Sequence, residues 1–139
     1  MINMEDCIFC KIIAGKIPSA KVYEDDNTIV FLDIMPANKG HCLVVPKNHY
    51  EGLLDVPEEQ LNSLMAATKK IAKSISLSIG SSSYNLVMNN GKEAGQVVNH
   101  VHMHIIPRFK DDRLRIKWSH KRYQGNEMKE TQEKIKKFI

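Results

Sequence analysis

The sequence predicts an α+β domain: a mostly antiparallel five-stranded sheet with one long amphipathic helix and short helices near the two ends of the chain. Three observations point there. Five short runs are rich in β-branched and apolar residues, and turn residues separate the first two as in a hairpin. One stretch, from Pro57 to about Ile79, repeats apolar side chains at helical spacing. A hairpin beside a single long helix favours antiparallel pairing over a parallel, helix-crossed sheet.

The elements follow in order. In "DCIFCKIIAGKIPS", Ile8, Phe9, Ile12 and Ile13 stand at helical spacing, with Gly15 as a stop and Pro18 beyond it, which predicts a short helix. "AKVYEDDNTIVFLDI" holds two strand-like runs around Asp25-Asp26-Asn27, a hairpin signal. "HCLVVP" is a short apolar run closed by Pro46 and is expected to be a buried strand, with Cys42 inside it. Leu61, Leu64, Met65, Thr68, Ile71, Ala72 and Ile75 form one helical face behind Glu58 and Glu59, acids placed where the helix dipole favours them. Gly80 ends that helix, "SYNLVMN" returns to strand composition, and the loop "NGKEAGQ" leads to "HVHMHII". "NEMKETQEKIKKFI" reads as a short polar C-terminal helix.

With 139 residues, 42% of them hydrophobic, the chain can bury one proper core. No run approaches the roughly 18 apolar residues of a membrane helix. "MINMEDCIFC" carries acids and cysteines where a secretory signal has basic and then apolar residues, so a cytoplasmic protein is expected, with no membrane partner. Three cysteines are too few for a disulfide framework. The net charge of +4 is modest and much of it falls in the last 30 residues, so a solvated tail is expected and nucleic acid is not an expected partner.

Half of the six histidines sit at strict two-residue spacing: His100, His102 and His104. In a strand Val101, Met103 and Ile105 would face the core and the histidines would share the other face. Three readings are open: a polar surface, a metal site of neutral imidazoles, or nucleophilic catalysis in which one imidazole attacks phosphorus. Upstream, "NNGKEAGQVV" favours the third, because Gly91 and Gly95 permit a loop whose backbone N–H groups converge on an anion, with Gln96 beside it. The pair Cys7-x-x-Cys10 admits a metal clip or two buried small side chains on a helix. Thioredoxin-like redox use lacks the βαβ context it needs.

His100-Val101-His102-Met103-His104-Ile105-Ile106 resembles the His-φ-His-φ-His-φ-φ signature of the histidine triad family of nucleotide hydrolases and transferases, where φ is apolar. "CIFCKIIAGKIPSAKVYEDD", "FLDIMPANKGHCLVVPKNHY" and "NNGKEAGQ" resemble its other segments in order, closest to the Hint-like and prokaryotic Hit branches. The likeness covers residues of about 5 to 110. It implies a nucleotide-binding domain over 1–110, with 111–139 as a tail of the same domain.

The resemblance implies a hydrolase that cleaves the α-phosphate bond of purine nucleoside phosphoramidates or other AMP conjugates through a nucleotidyl-histidine. The alternatives are a dinucleoside polyphosphate hydrolase and a non-enzymatic nucleotide-binding module. His102 would be the nucleophile, with its other ring nitrogen tied to the main-chain carbonyl of His100. His104 would assist the leaving group, and Gln96 with the backbone from Gly95 to Val98 (Gly95, Val97, Val98) would hold the phosphate. Asp33 matches an acid that bonds the ribose, Asn89 a polar residue beside the phosphate, and Ile8, Phe9, Ile12, Ile17, Phe31 and Ile34 an apolar wall around the purine. His41 matches a histidine placed near the triad.

The branch also implies a structural zinc held by Cys7, Cys10, His49 and His100, a closed site with no open position for water. No catalytic metal and a homodimer are expected. Val97 departs from the Ser or Thr common there, a loss on the order of 1 kcal/mol, which implies slower or differently selective turnover. The tail after Asp112 matches weakly, and Trp118, His120 and Arg122 are its candidates for leaving-group preference.

Overall fold

A computed structural model describes residues 4–139. The chain runs α1 (Ile8–Ile13), β1 (Lys21–Glu24), β2 (Thr28–Leu32), β3 (Cys42–Pro46), α2 (Glu58–Ile79), β4 (Ser83–Val87), β5 (Met103–Arg108) and α3 (Glu127–Lys136). Single 3-10 turns lie at Met4–Asp6 before α1, at Leu53–Asp55 between β3 and α2, and at Lys92–Ala94 between β4 and β5. The five strands form one antiparallel sheet in the order β1-β2-β3-β5-β4.

Both faces of the central strands are covered, which is why "TIVFL" and "CLVVP" read as unbroken apolar runs rather than alternating ones. On one face Val30, Cys42, Val44 and Ile105 pack against Leu64, Ala67, Ile71, Ala72 and Ile75 of α2. On the other, Ile29, Phe31, Leu43 and Val45 pack with Cys7 and Phe9 at α1. The helix α2 starts at Glu58 and Glu59 and stops at Gly80, whose φ of 77° is left-handed. Gly40, with a φ of +88°, is left-handed as well, and there a Cβ would also have to displace the Ile79 Cδ1 and press on Pro107.

The register carries the site. Directly paired residues share a face, and Phe31 pairs with Leu43, which pairs with His104. A row Phe31, Leu43, His104 therefore crosses the sheet beneath α1, while Ile105 points to α2. One expectation is corrected here. The strand does not run through the whole histidine series: β5 begins at Met103, so only His104 belongs to the ladder. His100 to His102 lie in extended chain before it, where Val101 donates its N–H to the Tyr50 carbonyl at 2.7 Å. His100 and Val101 are both fully buried there, so the inside-outside alternation fails over this stretch.

Beyond β5 the chain is clamped before the tail begins. Arg108 bonds both carboxylate oxygens of Asp112 and the Asn85 side chain, and Asn38 bonds Pro107 O and Asp112. The Arg108 guanidinium holds the Asp112 carboxyl well below the usual carboxylate range. α3 follows with no buried residue.

Candidate functional site

A cavity of about 410 Å³ opens on the α1 face of the sheet. Its apolar wall comprises Phe9, Ile12, Ile17, Phe31, Leu43 and Val98, and its polar residues include Asp33, Asn89, His102 and His104, with Gly95 between them. Ile8, Ile34 and Val97 also line it, but at the rim: Ile34 is 88% and Val97 92% exposed. Leu43, Pro18, Ser19 and Met35 line it as well and were not singled out from sequence. For Leu43 the signal was present, because strand alternation within "CLVVP" sets it on the face opposite Cys42.

The imidazoles differ in what each ring nitrogen meets. His102 Nδ1 lies 2.7 Å from the His100 carbonyl, which can only accept, so Nδ1 carries the proton and Nε2 keeps its lone pair. His41 Nδ1 accepts the Ala37 N–H at 2.9 Å, so its proton is on Nε2 and is donated to His104 Nδ1, 2.9 Å away. His104 consequently carries its proton on Nε2. The Asp33 carboxylate, 3.7 Å from His41 Nε2, keeps its other oxygen on the Met35 N–H at 2.9 Å.

Burial keeps these rings neutral. Desolvation lowers the pKa of His102 and His41 below the usual 6.5 and that of His104 to about 4. Phe9 meets the His102 ring edge-on at 5.0 Å between centroids and closes that side to water.

Two residues in the predicted catalytic set do not line the cavity. Gln96 spends its amide inside the loop: Nε2 donates to Glu51 O at 2.7 Å and Val98 O at 3.1 Å, and Oε1 accepts from Gly91 N at 2.8 Å. It braces the loop instead of reaching a ligand, because three backbone groups around it would otherwise lack partners. What the loop presents is backbone. Gly95 has a φ of +88°, and the N–H groups of Val97 and Val98 donate to no acceptor among the described residues. Such donors, with the free Asn89 side chain, suit an anion.

His100 is the other absentee. Its Nε2 donates to Pro46 O at 2.8 Å, leaving Nδ1 bare and turned toward Cys7, Cys10 and His49. The four ligand atoms lie within 4.8 Å of one another and could hold a metal ion. The sulfur to nitrogen distances are 3.4, 3.4 and 3.6 Å, and the two Nδ1 atoms are 3.2 Å apart. A tetrahedral ion with thiolate bonds of about 2.3 Å and imidazole bonds of about 2.0–2.1 Å sets those edges at about 3.5 and 3.3 Å. The donor set therefore fits such an ion.

Local structure prepares it. Cys7 is the N-cap of α1, its Sγ accepting the Cys10 N–H at 3.4 Å, and the carbonyl of Pro46 orients His100 from outside. Without a cation, burial pushes the Cys10 thiol up to about 11 and His100 down to about 4. A cation would reverse the first, since a coordinating thiol is deprotonated.

The sequence profile of the HIT domain matches residues 14–111. An adenosine 5'-monophosphoramidase of Candida albicans is 38% identical over 145 residues, covering 100% of this chain and 95% of the relative. A solved HIT family protein from Bacillus subtilis is 42% identical with a TM-score of 0.90, over 96% of this chain and 97% of that one. A zinc-bound histidine triad family protein from Mycobacterium smegmatis is 36% identical with a TM-score of 0.77, over 84% and 85%.

Proposed function

This chain belongs to the HIT domain family, and we propose that it hydrolyses AMP amides and related AMP conjugates through a nucleotidyl intermediate on His102. One observation carries the reading: the 2.7 Å bond from His102 Nδ1–H to the His100 carbonyl leaves Nε2 unprotonated on a ring that lines the cavity together with His104. The purine sits against Phe9, Ile12, Ile17 and Phe31, the ribose hydroxyls meet Asp33, and the phosphate takes the N–H groups of Val97 and Val98 with Asn89.

His102 Nε2 attacks the α-phosphorus as the bond to the leaving nitrogen breaks; the His104 Nε2–H hydrogen-bonds that nitrogen, and solvent supplies the proton with which it departs as the amine. Water then attacks the phosphorus, gives up a proton to solvent, and releases AMP with His102 neutral again. A depressed pKa suits the nucleophile, because a protonated His102 has no lone pair to offer.

Cys7, Cys10, His49 and His100 would hold a zinc ion that would contribute structure alone, since four protein ligands would leave no position for water. His100 contributes its ring to that node and its carbonyl to His102. The chain functions in the cytoplasm as a homodimer, with residues 111–139 a tail of the 1–110 domain. The sheet has two edge strands, β1 and β4, each paired on one side only among the described residues, and either can add a partner strand; light scattering at two concentrations tests the dimer.

Mass spectrometry of the protein mixed with an AMP amide tests the reaction. A +AMP adduct and free AMP are expected, both lost in His102→Ala. Tight binding without adduct or product overturns the proposal, and release of AMP from a dinucleoside polyphosphate alone would move it to that substrate. Elemental analysis is expected to find one zinc per chain and none in Cys7→Ser.

A further inference from the structure

We infer a leaving-group subsite outside the nucleotide cavity, selective for amines with a hydrocarbon stem and a cationic end. The inference rests on the hydrolysis proposed above. A second, shallower cavity of about 220 Å³ is lined by Asp6, Cys7, Ile8, Val97, Val98 and Asn99, and it shares Ile8, Val97 and Val98 with the first. Those three residues form the wall between the two. Val97 and Ile8, 92% and 45% exposed, are its crest.

The order of parts along a bound substrate follows from what lines each cavity. The apolar wall of the first, with Phe9, Ile12, Ile17 and Phe31, takes the base, and the N–H groups of Val97 and Val98, which have no acceptor among the described residues, mark the phosphate. Whatever is bonded to that phosphate starts beside Val97, whose side chain offers two methyl groups and no hydrogen-bonding atom. A methylene stem loses nothing there, whereas a leaving group that needs a donor or acceptor at this position goes unpaired.

Beyond the crest the second cavity offers one charged group, the Asp6 carboxylate, and the Asn99 amide. Asp6 forms no ion pair among the described residues. An alkylammonium end some carbons from the scissile nitrogen is attracted to it, and a carboxylate end is repelled.

The experiment compares kcat/KM for AMP amides of 1,5-diaminopentane, pentylamine and 5-aminopentanoate. The cationic amide is expected to exceed the neutral one by about threefold, and the neutral one the anionic by a similar factor, as suits a solvent-exposed charge. Salt should compress both ratios. Asp6→Asn should bring the cationic and neutral amides together while leaving the pentylamine amide unchanged. Val97→Ser should lower the preference for the pentylamine amide over the unsubstituted amide. Equal kcat/KM for the three in the unmodified protein, or a preference that survives Asp6→Asn, overturns the subsite while leaving the hydrolysis standing. No hydrolysis of any amide overturns both.

Discussion

Each histidine of the series is assigned by the partner of its second nitrogen. His100 has a carbonyl on Nε2 and the metal-type cluster on Nδ1. His102 has a carbonyl on Nδ1, which leaves Nε2 unprotonated on a ring that lines the cavity, and His104 has another histidine on Nδ1. His41→Phe keeps a ring but deletes the donor that holds the His104 tautomer, so kcat should fall at least about tenfold with little change in KM, consistent with the size of acid–base effects. Steady-state kinetics reads this, and an unchanged kcat would remove His41 from the mechanism. Acidification supplies a second test. Because burial lowers the pKa values of His102 and His104, their neutral forms persist on the acid side of 6.5. The kcat/KM profile should stay flat from pH 8 to below pH 6.5 and decline only further down; an inflection at the ordinary histidine value would contradict the assignment.

At the level of elements, α2 and the glycine turns carry distinct loads. Leu64 is completely buried between α2 and the sheet, and Leu64→Ala should cost about 2–5 kcal/mol in urea unfolding, through lost burial and the cavity left behind. Gly40→Ala and Gly95→Ala differ although both have a φ of +88°. At Gly95 a Cβ meets only Asn89 Nδ2 at 4.0 Å, so the cost is the backbone strain, about 1 kcal/mol. At Gly40 the Cβ also drives into Ile79 and Pro107, and the larger loss of stability should be there. A reversed order in denaturation midpoints would show that the α2 end relaxes freely.

On the scale of the whole molecule, the Cys7, Cys10, His49 and His100 cluster ties the N-terminus of α1, the chain after β3 and the segment before β5 at one point. Removal of a bound ion with a chelator should therefore lower Tm by several degrees and slow turnover together, since the His100 carbonyl also holds His102; unchanged Tm would assign the cluster no structural role. Buried neutral histidines add a pH dependence. His41, His102 and His104 have folded pKa values below 6.5, that of His104 about 4, so between 6.5 and about 4 the unfolded chain binds more protons than the folded one. Stability should fall as pH drops through that window and be restored above it, as read from urea midpoints. A flat midpoint from pH 7 to pH 4.5 would refute it.

Periodicity and punctuation in the sequence determined every helix and strand to within a few residues, because each apolar run has one face or two to bury and Gly15, Asp25 to Asn27, Pro46 and Gly80 close the runs. The two-residue spacing of His100, His102 and His104 marked a candidate site in the sequence, and the likeness to a known family added Cys7, Cys10 and His49 to it. Tertiary structure decided the rest. It ended β5 at Met103, turned His100 away from the cavity, consumed the Gln96 amide in the loop and set Ile34 and Val97 at the rim. These outcomes depend on which carbonyl, thiol or ring arrives from elsewhere in the chain. Local sequence dictates how a backbone is patterned, but the partner of a buried nitrogen is chosen by the residues that folding brings within 3 Å of it.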